Sequence, residues 1–278
     1  MCASAEYAEE IHAHWREVEE GMWPRQSFVD ERRRSILLDW LVGVHAVAKF
    51  APETLYLAVL LIDSYLGLST PVNMDNLQLM GTAALVIAAK FEEIEPEGGF
   101  DFGRFYDGIY SRQHVLDMER SMLSALEYRV AVPTVFHFML RYLTVALRDI
   151  AERIQTRVVQ TACYIAERCS IEYRMLTKHR PSMVACGAIY AALHTHGAGD
   201  EITPWTPALE AYTRYSRAAL RECVRDIVII FKKAPLDHES WLFKKYNHKK
   251  FGAVAGLTLE VRVPRLRGRK KRRRVKRK

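Results

Sequence analysis

Four charged residues interrupt segments whose spacing otherwise calls for apolar side chains: Arg34, Asp63, Lys90 and Glu119. Cations and carboxylates so placed can move protons, lock elements together as ion pairs, or present a directed polar contact to another molecule. Arg34 opens one helical segment, and Asp63 lies in "LLIDSYL", one residue past the apolar face of the next. A buried pair there fixes how two helices cross, because removing one partner strands the other charge at a cost of about 3–5 kcal/mol. Lys90 closes the apolar run "AALVIAAK" and admits two readings. Either it snorkels from a helix end while Glu119 is an ordinary surface acid, or the two form an exposed polar pair rimmed by Phe91, Ile94 and Tyr128. Apolar side chains around a few directed charges are the makeup of a protein-binding patch.

Signatures of catalysis are missing. "EGGF" lacks the spacing of a phosphate-cradling loop, and no G-x-S-x-G elbow occurs. His194 and His196 stand two apart, which points them to opposed sides of a helix, with no carboxylate or cysteine at ligand spacing. Glu92 and Glu93 are the one carboxylate pair that follows an apolar setting directly. The expectation is no catalytic residue, no metal and no cofactor: a scaffold that binds something.

The elements that must position these residues are helices almost throughout. Ile36, Leu37, Trp40, Leu41, Val44 and Val47 share one face, and Leu55, Ala58, Val59, Ile62 and Leu66 share another after Pro52. The segment from about Met74 to Phe91 is apolar nearly all round and rich in alanine, as a helix enclosed by neighbours must be. Ser111 is a candidate cap for a helix through about Leu126 with Val115, Met118, Met122 and Leu126 inward. After Pro133 the plan restarts, with helices expected over about 135–147, 152–170, 181–195 and 216–233. "PSMVACGAIYAAL" repeats the small-residue habit of the earlier central segment, so two stacked all-α bundles are expected. Upstream, Tyr7, Ile11, His14 or Trp15 and Val18 form a stripe on a helix that is marginal alone and must dock on the body or on a partner.

The formal charge of +8 over 278 residues misleads, because 11 of the last 14 positions are Arg or Lys. Without them 30 basic residues face 33 acidic ones, so the basic character belongs to a tail whose like charges favour disorder. Five cysteines without a C-x-x-C pair fit a reducing compartment, and no apolar run reaches the ~20 residues of a membrane span.

The quoted segments resemble the cyclin family, and within it the mitotic A and B types. "RRSILLDWLVGVHAVAKFAPETLYLAVLLIDSYL" resembles the opening of a cyclin box, which "LQLMGTAALVIAAKFEEIEP" and "YSRQHVLDMERSMLSALEYRVAVPTVFHFMLRYL" continue. "RPSMVACGAIYAAL", "YTRYSRAALRECV" and "KKYNHKKFGAVA" extend the resemblance to about residue 256. The resemblance implies two tandem five-helix bundles, 31–131 and 132–256, after an N-terminal helix and linker in 1–30 and before a basic tail from 257. It implies a non-catalytic regulatory subunit that activates a cyclin-dependent protein kinase in S, G2 or M phase. Five box positions are filled by Arg34, Asp63, Leu79, Lys90 and Glu119. Lys90 and Glu119 would hold backbone groups around the kinase's regulatory helix. Ile87, Phe91, Ile94, Tyr128 and Val130 would line the groove, with Tyr7 and Ile11 packing beside it.

A second family site, which docks Arg-x-Leu substrates or inhibitors, matches Ile36, Leu37, Trp40, Leu77 and Gln78. Here Arg33 replaces the usual methionine and Gly43 the usual acid, and both changes weaken a cationic ligand. The R-x-x-L match at Arg34–Leu37 falls in a buried helix, which puts periodic destruction through it in doubt. In the tail, Arg269, Lys270, Lys271, Arg272, Arg273, Arg274, Lys276, Arg277 and Lys278 suit an import receptor and a nuclear location, and no aromatics are present to stack on bases. Two other readings remain: a transcription-factor module like general transcription factor IIB, and a cyclin-like adaptor that does not activate.

Overall fold

The computed structural model describes residues 7–22, 30–68, 76–94, 109–197, 204–233 and 238–264, and among them every regular element is a helix. After α1 (Ala8–Met22) comes a first bundle of α2 (Glu31–Ala48), α3 (Pro52–Leu66), α4 (Leu77–Glu92) and α5 (Arg112–Ala125). The second contains α6 (Val135–Ala146), α7 (Glu152–Ile171), α8 (Tyr173–Lys178), α9 (Pro181–His196) and α11 (Arg221–Lys233), with a short α10 (Pro207–Thr213) at its edge. A last helix, α12 (Trp241–Asn247), returns to the first bundle. Positions 265–278, and with them the import cluster, lie outside the described residues.

Each bundle is organised on one small-residue helix. Met80, Ala83, Ala84, Ala88 and Ala89 of α4 have no exposure, and a Cβ on Gly81 would come within 2.8 Å of Leu37 Cδ1. On α9, Ala185, Ala188, Ala191 and Ala192 are equally enclosed, and Gly187 admits Cys223 and Ile227 in the same way. Close packing of this kind needs backbones that approach without side chains between them. The thiols of Cys169, Cys186 and Cys223 are buried and form no disulfide, and burial pushes all three up in pKa, which leaves them unreactive.

The two bundles are bolted together by charges. Arg34 is 1% exposed, and its Nε and Nη2 donate to the two carboxylate oxygens of Asp63, each at 2.7 Å. Its remaining donors reach Ile171 O at 2.6 Å and Ser170 O at 3.0 Å, the last carbonyls of α7. Those carbonyls have no partner within their own helix, so one guanidinium closes a helix end of the second bundle while crossing two helices of the first. A second bolt comes from α12, where Lys245 Nζ donates to both oxygens of Glu167 at 2.8 Å and the Tyr246 hydroxyl donates to Glu167 Oε2 at 2.8 Å.

The N-terminal helix docks through Trp15 and Val18 of the expected stripe, which pack on the second and first cores, and through a polar face beside it. His14 is exposed and Tyr7 is 53% exposed, whereas His12 and Glu19 are buried against the second bundle. The His12 ring stacks on Tyr212 at 5.4 Å, and Arg16 Nη2 donates to Tyr142 Oη at 2.8 Å and to Thr213 O. Glu19 accepts from the Ser182 amide at 2.6 Å and hydroxyl at 2.7 Å, capping the start of α9. Spacing of i, i+4, i+7 was present in residues 12, 16 and 19, but large polar side chains read as solvent-facing. Burial and the nearby Arg16 and Arg141 hold His12 down at about 4, while burial raises Glu19. A depressed histidine stabilises the fold above its ordinary value of 6.5, and that contribution is lost as pH falls from there toward 4. Glu19 acts with the opposite sign and cancels in a comparison with His12→Phe. The gap in Tm between wild type and His12→Phe therefore narrows as pH drops from 6.5 to 4, measured by thermal denaturation across that range.

Other departures are local. Residues 217–220 form a turn, held by the Ala219 amide on Ser216 O at 2.9 Å, so α11 starts at Arg221 and not at 216. The short helices α8, α10 and α12 are too brief for a 3.6-residue period to reveal.

Candidate functional site

The exposed end of α4 carries the site. Lys90 lies in its last turn, where a cation complements the helix dipole, and the Glu93 amide closes the helix on Ala89 O at 3.0 Å. Glu93 then serves a second helix: its Oε1 accepts from the Ala51 amide at 2.7 Å and from the Thr54 hydroxyl. Ala51 has no side chain to cap α3, so a carboxylate from the next helix does it and ties the segment after Lys90 to the core. The spacing of Glu92 and Glu93 carries no signal of this capping role, which depends on the approach of α3.

Lys90 Nζ donates to Glu119 Oε1 at 2.7 Å and Oε2 at 2.8 Å. The pair is asymmetric, with the Lys90 side chain 46% exposed and that of Glu119 only 11%. Lys90 does reach out from a helix end, but Glu119 is not the ordinary surface acid of the first reading. Glu119 joins Val115 and Met122 on the inner stripe of α5, while Met118 and Leu126 are half-buried. An ammonium has three donors, so one remains for an outside acceptor, and the carboxylate keeps lone pairs for outside donors. The arrangement can therefore grip backbone carbonyl and amide groups of another chain, with the two charges already held in place.

Around it, Phe91 is 48% exposed, Ile94 95% and Tyr128 69%, with Val130 half-buried. Ile87 does not line this surface; at 4% exposure it packs in the core below. Leu79 is likewise interior, packed with Val86 and Val115. The rim has a feature that sequence did not signal: Glu127 and Tyr128 both adopt positive φ, 53° and 59°. A non-glycine residue pays about 1–2 kcal/mol there, and such strain persists where a side chain is being aimed. Tyr128→Gly should raise stability by about 1 kcal/mol by releasing that strain. The same change removes an exposed aromatic from the rim, so denaturant unfolding and partner binding should move in opposite directions.

Elsewhere, Ile36 is 62% exposed, Arg33 exposed, and Trp40 and Gln78 half-buried, whereas Leu37 and Leu77 are buried. His194 and His196 turn to different neighbours, Glu260 O at 3.1 Å and Thr161 Oγ1 at 2.8 Å. Among the described residues no group of three metal-binding side chains occurs, and no helix is long and apolar enough to cross a membrane.

Comparison with known proteins fits this geometry. The family model "Cyclin, N-terminal domain" matches residues 4–131, and "Cyclin, C-terminal domain" matches 133–259. Cyclin-B1-3 of Oryza sativa subsp. japonica is 38% identical over 260 residues, covering 91% of this chain and 53% of the relative. G2/mitotic-specific cyclin-A of Hydra viridissima is 34% identical, covering 91% and 59%, and cyclin-B1-4 of Arabidopsis thaliana 36%, covering 91% and 64%. The chain thus spans between half and two thirds of the length of these relatives. A viral cyclin from Herpesvirus saimiri shares the fold, with a TM-score of 0.67 at 18% identity over 80% of this chain and 96% of that one. With both family models matched in tandem and the box charges paired in space, the chain belongs to the cyclin family.

Proposed function

We propose that the chain is a regulatory subunit, not an enzyme, that binds a cyclin-dependent protein kinase and stabilises its active form. The observation that carries this reading is the Lys90–Glu119 pair, held at 2.7 Å on an exposed helix end and rimmed by Phe91, Ile94 and Tyr128. Two fixed charges with spare donor and acceptor capacity match the polar backbone of a helix. The apolar rim supplies the buried area that a lasting interface requires. A kinase fluctuating between inactive and active placements of its regulatory helix is shifted toward whichever form presents the matching surface. Tyr7, exposed at the start of α1, extends the same contact. Mitotic relatives support a role in S, G2 or M phase, and the basic tail supports nuclear import.

The test is co-purification of the full chain with a cyclin-dependent kinase subunit, followed by histone phosphorylation. Binding with activation is the expected result. Binding without activation would indicate a passive adaptor and overturn the reading, as would no binding. Import is tested by replacing the tail's basic residues with glutamine and following the protein's location in cells.

A further inference from the structure

A cavity of about 250 Å³ opens where the two bundles meet, behind the turn that carries Tyr128 to the rim. Leu60 and Leu61 of α3, Leu126 at the end of α5, Val132 of the connecting segment and Leu176 of α8 form its apolar walls. Tyr173, whose ring lies 5.5 Å from the Arg34 guanidinium carbon, adds an aromatic wall. The space suits a compact ligand with an apolar body and is too small for a helix of another protein.

Its inner charges are acids. Asp63 lines the cavity from α3 and Glu19 from α1. Each carboxylate oxygen takes one bond from the protein, Asp63 from Arg34 and Glu19 from Ser182, and so keeps a lone pair for a further donor. The Asp63 side chain is 18% exposed and that of Arg34 not at all, so the carboxylate and not its guanidinium meets the open space. Burial raises the Glu19 carboxyl, and a cation beside it relieves that penalty. Arg16 and Arg180, whose charges act on Glu19, are bonded elsewhere, Arg16 to Tyr142 and Thr213 and Arg180 to Glu20. Arg129, a cation of the lining, is 74% exposed and already bonded to Glu127.

We propose that this cavity binds a small organic amine, its apolar body against the leucines and Tyr173 and its ammonium on the Glu19 and Asp63 carboxylates, and that occupancy strengthens the kinase-facing rim. Leu126, Glu127, Arg129 and Val132 wall the cavity, and the same turn holds Glu127 and Tyr128 at positive φ. A ligand touching those walls supports the strained turn that aims Tyr128 outward, and so favours the form that binds a partner. The amine site stands without a kinase; its coupling to the rim rests on the reading of the chain as a kinase subunit.

Naphthylmethylamine, with naphthylmethanol and naphthylacetate as its neutral and anionic counterparts, is titrated against the purified full chain by calorimetry. The amine is expected to saturate below about 1 mM and to bind at least about tenfold more tightly than either counterpart. Glu19→Gln should weaken the amine about tenfold and leave the alcohol unchanged. Ala125→Leu, which grows into the cavity from α5 and spares the Ser182 cap, should weaken both, with the denaturation midpoint confirming the fold. With the amine bound, the Kd for a cyclin-dependent kinase subunit should fall about fivefold or more, and Tyr128→Gly should remove that gain. Equal binding of the three probes, no saturation by about 1 mM, or amine binding untouched by either cavity substitution in a folded protein would overturn the proposal. Amine binding that leaves kinase affinity unchanged would overturn the coupling. Amine binding by a chain that binds no kinase would overturn the kinase reading alone.

Discussion

Replacing Arg34 with alanine should cost about 3–5 kcal/mol of stability, the largest effect expected from any single side chain here. The change strands the Asp63 carboxylate, which is only 18% exposed, and also leaves Ser170 O and Ile171 O at the end of α7 without their donor. Arg34→Lys should not rescue it, because an ammonium cannot span a bidentate carboxylate and two carbonyls at once. Arg34→Met with Asp63→Leu should be less harmful than the sum of the single losses, since no charge is then left alone, yet it still orphans the α7 carbonyls. Denaturant midpoints of wild type, Arg34→Ala, Arg34→Lys, the double variant and its two single variants, Arg34→Met and Asp63→Leu, measure this. A loss below about 1 kcal/mol for Arg34→Ala would show that the pair is incidental to the fold.

This residue also shows how far sequence reaches. Arg34 and Asp63 stood out because they broke an apolar period, and their pairing across α2 and α3 followed. The carbonyls of Ser170 and Ile171 could not be foreseen, because the meeting of two bundles leaves no trace in the local period of either. The central helices were legible for the opposite reason: alanines on every side of α4 and α9 have no explanation except enclosure. Glu119 was half legible. Its i+4 distance from Val115 sets it on the inner stripe, but a glutamate is read as outward until its lysine is seen. The Trp241 indole on Gly43 and the positive φ of Tyr128 had no signal at all, since one joins segments nearly two hundred residues apart and the other contradicts the residue's own preference.

The second large effect concerns the exposed pair. Because Glu119 is nearly buried, Lys90→Ala alone would strand a carboxylate and mix loss of stability with loss of binding. Lys90→Met with Glu119→Gln removes both charges together at nearly constant volume, so the denaturation midpoint should change little. Binding should change greatly, because the two groups form the polar centre of a surface whose remaining contacts are apolar. Truncating such a centre costs at least about 2 kcal/mol, or roughly thirtyfold in Kd. Loss of affinity without loss of fold would separate a recognition pair from a structural one, and Arg34 supplies the structural control.

The most direct measurement is therefore the Kd of the full chain for a cyclin-dependent kinase subunit, by calorimetry, with histone phosphorylation read on the same samples. Wild type should bind and activate, and the Lys90→Met/Glu119→Gln protein, equally folded, should bind at least about thirtyfold more weakly and activate in proportion to the complex formed. Wild-type affinity and wild-type activation by that double variant would contradict the assignment of this surface as the kinase-binding site.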